Sequence, residues 1–122
     1  MEPQENKLEM QRALASSEDD LLAVIGFAEA QKHMHAAPPD KSRMIQLGRE
    51  WMDKNLQIIQ EKICQDETLR KFSQTDESMV DLGVLIADAI AGLYVGVPFV
   101  AIAAWITKKG LAHVCHDIWS NA

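Results

Sequence analysis

The chain has 122 residues, a net charge of −6, 48% apolar residues and 25% charged residues. That composition excludes a disordered polar chain. Its acidity argues against a general nucleic-acid binder, which needs clustered Lys and Arg to neutralise phosphate. A single helical domain over 1–122 is expected, long enough to bury a core without a metal or disulfide staple.

The charge is unevenly placed. Residues 1–81 hold sixteen acids and ten bases, which leaves −6, and residues 82–122 hold two of each. The acidic surface therefore belongs to the first two thirds. Residues 3–15 are polar, with Leu8, Met10, Ala13 and Leu14 as apolar points. Their helix-favouring composition suits either a short N-terminal helix or a loosely attached arm over 1–15. Ser16 and Ser17 then offer a helix N-cap, and Glu18, Asp19 and Asp20 fill a first turn where the dipole favours negative charge. Leu21, Leu22, Val24, Ile25, Phe27 and Ala28 recur at steps of three and four, the pattern of an amphipathic helix. Lys32, His33 and His35 lie near its end, and Pro38-Pro39 stops it.

Asp40 is the expected N-cap of the next helix. Met44, Gly48, Trp51, Leu56, Ile59 and Ile63 trace one face of it. The periodicity allows either a continuation past Cys64 through Leu69 and Phe72 or a break at Cys64-Gln65-Asp66. Residues 73–77 read as a linker, and a helix is expected over 79–95 with Ser78, Asp81 and Asp88 on one stripe. Gly92 and Gly96 stand four apart, a spacing that suits close helix contact in a core. Pro98 cannot donate a backbone hydrogen bond and is expected to open a new helix, 98–109. Gly110 ends or kinks that helix before Leu111–Trp119. No strand pattern appears.

The run 82–107 raises the question of a membrane. Its twelve Leu, Ile, Val and Phe residues would each contribute about −0.3 to −0.6 kcal/mol on insertion, against about 2.5–3.5 kcal/mol for one central Asp. Energy alone does not decide. The Asp81/Asp88 stripe and the break at Pro98 favour a core helix, because each half is short and a helix apolar all round signals burial on every side.

Few residues suggest chemistry. His113, His116 and Asp117 stand at helical spacings that could share a metal ion, although a stable site needs further ligands. Cys115 beside His116 is poorly placed for a nucleophile–base pair, since adjacent helical residues point about 100° apart. Asp88 is a candidate buried acid whose pKa would rise on desolvation. Cys64 and Cys115 lie far apart, and the N-terminus Met-Glu-Pro-Gln-Glu-Asn carries no secretion signal. Both cysteines are therefore expected as reduced thiols in a cytoplasmic protein. No catalytic residue and no cofactor is assigned.

Two stretches carry a resemblance: Trp51-Met-Asp-Lys-Asn-Leu-Gln-Ile-Ile-Gln-Glu-Lys-Ile-Cys64 with Asp66-Glu-Thr-Leu-Arg70, and Val97-Pro-Phe-Val-Ala-Ile-Ala-Ala-Trp-Ile-Thr-Lys-Lys-Gly-Leu-Ala-His-Val-Cys115. Together they resemble small all-helical bacterial modules of unknown function found near regulatory and defence proteins. The resemblance covers about the last two thirds of the chain. It rests on packing residues, carries no site across, and implies an accessory role.

The sequence thus points to an all-α protein: a compact bundle of four to six helices with helix 98–109 at its centre. The leading function is a non-catalytic interaction or accessory module that binds a protein partner, or a second copy of itself, through an acidic and apolar helical surface. Trp51, Ile118 and Trp119 are its contact candidates if exposed. One alternative is a membrane-active protein that inserts the hairpin 79–109. A second is a metal-binding or enzymatic protein that uses the 113–117 cluster.

Overall fold

A computed structural model describes residues 3–32, 40–74 and 78–120. The basic helix end at His33 and His35, the stop at Pro38-Pro39, and residues 75–77 of the linker lie outside them. Among the described residues the elements are all helical. Six have seven residues or more: α1 (Pro3–Ala15), α2 (Glu18–Gln31), α3 (Lys41–Ile63), α4 (Glu67–Ser73), α5 (Met79–Ala91) and α6 (Phe99–Lys109). Two short ones follow, α7 (Leu111–Val114) and α8 (His116–Ser120).

The helix starts follow their caps. Ser17 Oγ accepts from Asp20 N at 3.0 Å, Asp40 Oδ1 from Arg43 N at 2.8 Å, Asp66 Oδ1 from Leu69 N at 3.1 Å and Ser78 Oγ from Val80 N at 3.1 Å. Each satisfies a backbone donor that has no partner inside its helix. The cap at Asp66 resolves the ambiguity at Cys64: the chain breaks there and α4 begins anew. Ser78 caps α5 and is not part of its stripe.

The helix expected over 79–95 ends at Ala91. Gly92 is its C-cap, Gly96 takes φ +75°, and Pro98 holds the approach to α6. A left-handed glycine and a proline within three residues cannot continue a helix. Gly92 and Gly96 are accordingly exposed loop residues rather than a helix contact. The expected helix 111–119 is also divided, at Cys115.

α6 lies at the centre and packs against α5, α2, α1 and α7. Ala101, Ile102, Ala103, Ala104, Ile106 and Thr107 are buried. Thr107 Oγ1 donates to the Ala103 carbonyl at 2.8 Å, so its burial leaves no hydroxyl unpaired. The chain's own helices therefore surround α6, while the loop between α5 and α6 stays largely exposed. Among the described residues no helix is long and apolar enough to cross a membrane.

The closest packing joins α2 and α3. A methyl group on Gly26 would overlap the Met44 carbonyl, and one on Gly48 would overlap the Leu22 carbonyl. Only glycine allows these two backbones to touch. Three ion pairs surround the acidic first turn of α2: Lys41–Asp20 at 2.6 Å, Lys109–Glu18 at 2.7 Å and Arg49–Asp19 at 3.7 Å.

The reduced thiols expected at Cys64 and Cys115 are a disulfide. A separation of 51 residues gave no sign of their meeting. The helix break after Ile63 and the glycine turn at Gly110 bring α7 beside the end of α3. Both sulfurs are buried, with Cys64 3% and Cys115 0% exposed. Around the bond, Trp119 Nε1 donates to the Cys64 carbonyl and Gln60 Nε2 to the Val114 carbonyl, both at 2.8 Å. The C-terminal segment is thus fixed covalently and by hydrogen bonds. The expectation of a cytoplasmic location was drawn, together with that of free thiols, from the cysteine spacing and the N-terminus, and the pairing removes the thiol part of it.

Candidate functional site: an apolar groove around α1

α1 lies across the start of α6 and leaves an unfilled space on each flank. On the α2 side is a cavity of about 440 Å³. Its apolar walls are Leu21 and Val24 of α2 and residues 97–101, while α1 supplies Glu9, Arg12 and Ala13, and Ser16 follows from the connection to α2. On the α5 side is a cavity of about 280 Å³, with Val84, Ala87, Asp88 and Ala91 facing Asn6 and Met10. Phe99 and Val100 line both.

The physical origin is a mismatch. The start of α6 and the neighbouring faces of α2 and α5 are broad and apolar. The helix laid on them is mostly polar. Of its apolar residues, Met10 is 1% exposed and seats against Gly83, whereas Leu8 is 53% exposed. Val24 at 48% and Phe27 at 39%, one turn apart on α2, continue the apolar surface outward from the cavity. In the loop before α6, Val95 is 97% exposed and lines neither cavity. Its neighbour Tyr94 packs on Trp51 with ring centroids 5.4 Å apart and donates its hydroxyl to Asn55 Oδ1 at 3.0 Å. Burial raises the Tyr94 pKa above its ordinary value.

The electrostatics of the groove are sparse. Lys7 of α1 pairs with Asp81 of α5 at 3.2 Å, and Lys108 Nζ donates to the Leu14 carbonyl at 3.0 Å. Asp88 was the candidate buried acid, but it is exposed on the cavity rim and has no ion-pair partner among the described residues. It sits on the solvent edge of the α5 stripe.

The contact candidates separate. Trp51 is 9% exposed and belongs to the core against Tyr94. Ile118 and Trp119 are half-buried against that core, and the Arg70 guanidinium lies 5.1 Å above the Trp119 ring. Trp119 therefore anchors α8 to the end of α3. His113, His116 and Asp117 line an open third cavity of about 590 Å³ with Trp105 and Lys109. His116 Nδ1 lies 3.5 Å from Asp117 Oδ1, both side chains being largely exposed. Among the described residues no three His, Cys, Asp or Glu side chains are placed to hold a metal ion. Lys109 is engaged by Glu18 and by the Trp105 ring, 5.3 Å from its centroid. Trp105 Nε1 is buried with no acceptor among the described residues.

The groove was not singled out from sequence. Its signal was present in two features read separately: the polar 3–15 segment and the uniformly apolar start of helix 98–109. Their juxtaposition required the fold. Comparison of the chain with protein-family models, curated proteins and solved structures finds no match.

Proposed function

We propose that the protein is a non-catalytic interaction module that captures an amphipathic segment of a protein partner in the groove beside α1. The observation that carries this reading is the apolar surface running from the 440 Å³ cavity to exposed Val24 and Phe27. Grooves of this kind receive helices through apolar anchors at i, i+3, i+4 and i+7. The net charge of −6 favours a basic partner, with charge acting mainly on encounter and orientation. A bacterial accessory role is the form this takes if the likeness to small helical modules holds.

The buried disulfide favours an oxidising compartment over the cytoplasm, because such bonds persist where thiols are not continually reduced. Alkylation of protein taken directly from its host, with and without reductant, tests this. Free thiols without reductant would return the protein to a reducing compartment.

The groove itself is tested by placing a photo-crosslinking amino acid at Val24 or at Lys62, which is exposed near the end of α3. A discrete adduct at Val24 and none at Lys62 is expected. Equal labelling at both positions, or none at Val24, would remove the groove as the docking surface.

A further inference from the structure

Within the groove reading above, on which this step rests, we infer that the full docking surface lies beneath α1. The partner's segment is a basic amphipathic helix that takes α1's place. α1 behaves as a stand-in for that ligand. It is a helix seated on an apolar platform by buried Met10 and partly buried Ala13 and Leu14, with unfilled volume on both sides. Ser16 and Ser17 connect it to α2, and a connection this short can act as a hinge without unfolding α2.

Charge specifies the incoming helix further. Lys7 shows which chemistry Asp81 accepts. Asp88 lies seven residues on, about 10.5 Å along the same face of α5, and α1 offers it no base. A helix with Lys or Arg two turns apart would answer both carboxylates, where α1 answers one. An apolar residue larger than Ala13 would also fill the larger cavity, and an apolar residue in place of Asn6 the smaller one. The occupant is thus a better-fitting version of α1: more apolar on its inner face and with one more base on its edge. Glu9 and Arg12, the charged groups α1 itself contributes to the larger cavity, leave with it.

The experiment uses the full chain and a synthetic helix-forming peptide of α1's length. The peptide carries Leu at the i, i+3, i+4 and i+7 positions and two Lys spaced two turns apart. Hydrogen exchange of the free chain should show α1 amides exchanging about tenfold or more faster than those of α6. Saturating peptide should speed α1 exchange further while α5 and α6 stay protected. Lys7→Gln, which loosens α1, should tighten peptide binding a few-fold. Asp88→Asn, which leaves α1's contacts intact, should weaken it about threefold. Opposite signs from these two exposed positions would not arise from a general loss of structure. Peptide that binds while α1 keeps its protection would overturn displacement yet leave the groove reading intact. Absence of binding to both wild type and Lys7→Gln would also overturn the proposal. An absent adduct at Val24 is instead the failure of the broader reading.

Discussion

Two glycines set the tightest tolerance in the molecule. Gly26 and Gly48 let α2 and α3 meet backbone to backbone, and the atoms facing them are carbonyls, which cannot rotate aside. Gly48→Ala should cost about 3 kcal/mol or more, read as a lowered urea midpoint with an unchanged slope. By contrast Gly92→Ala, whose nearest neighbour would lie at 3.5 Å, should fold normally. Tyr94 makes a second prediction at this scale. Burial raises its folded pKa above the value near 10 of an exposed phenol. The folded state thus holds the phenolic proton more tightly than the unfolded chain does. That contribution is complete below about pH 10 and is lost as pH rises through the folded value. Alkaline unfolding curves of wild type and Tyr94→Phe should reveal it, with the variant showing the shallower decline above pH 10.

At the scale of elements, the disulfide is the main tie of the C-terminal segment. Closing a loop across 51 residues contributes about 4 kcal/mol in the chain-entropy description. A Cys64→Ser/Cys115→Ser double variant should lose stability of that order, measured by denaturant unfolding, and exchange in α7 and α8 should rise before that in α2. The same region shows what the sequence could and could not convey. Caps at Ser17 and Asp40, the break at Pro98 and the centrality of 98–109 were legible because they are local: one side chain, one ring, one periodicity. The pairing of Cys64 with Cys115 was not, since it depends on how a turn at Gly110 returns the chain to the end of α3. The burial of Trp51 and the exposure of Asp88 were not legible for a related reason. Residue type suggests a contact or a buried acid, but which side of a helix faces neighbours depends on the partner helices. The groove is legible only when the polar N-terminal helix is seen lying on an apolar surface that it incompletely fills.

For the molecule as a whole, charge and apolar surface divide the work of recognition. The acids in the first turn of α2 are engaged by Lys41, Arg49 and Lys109, and Lys41 draws the Asp20 pKa down chiefly through their hydrogen bond. These exposed pairs organise the surface more than they stabilise it. The remaining negative field acts at longer range. A basic peptide should associate about tenfold more slowly when ionic strength rises from low to physiological, with little change in dissociation. Stopped-flow measurement across a salt series checks this, and a salt-independent association rate would assign recognition to the apolar groove alone.

The bond between Cys64 and Cys115 also gives the chain an unusual covalent topology. α4, α5, α6 and α7 lie on a closed ring, while α1 to α3 and α8 leave it as tails. A protease that cuts once inside the ring opens it without dividing the molecule. The nicked protein would run as one species on a non-reducing gel and as two after reduction. Cuts before Cys64 release a fragment at once. The outer helices can therefore be trimmed singly, whereas the central apolar helices are removed only after two cuts, or after one cut and reduction of the disulfide.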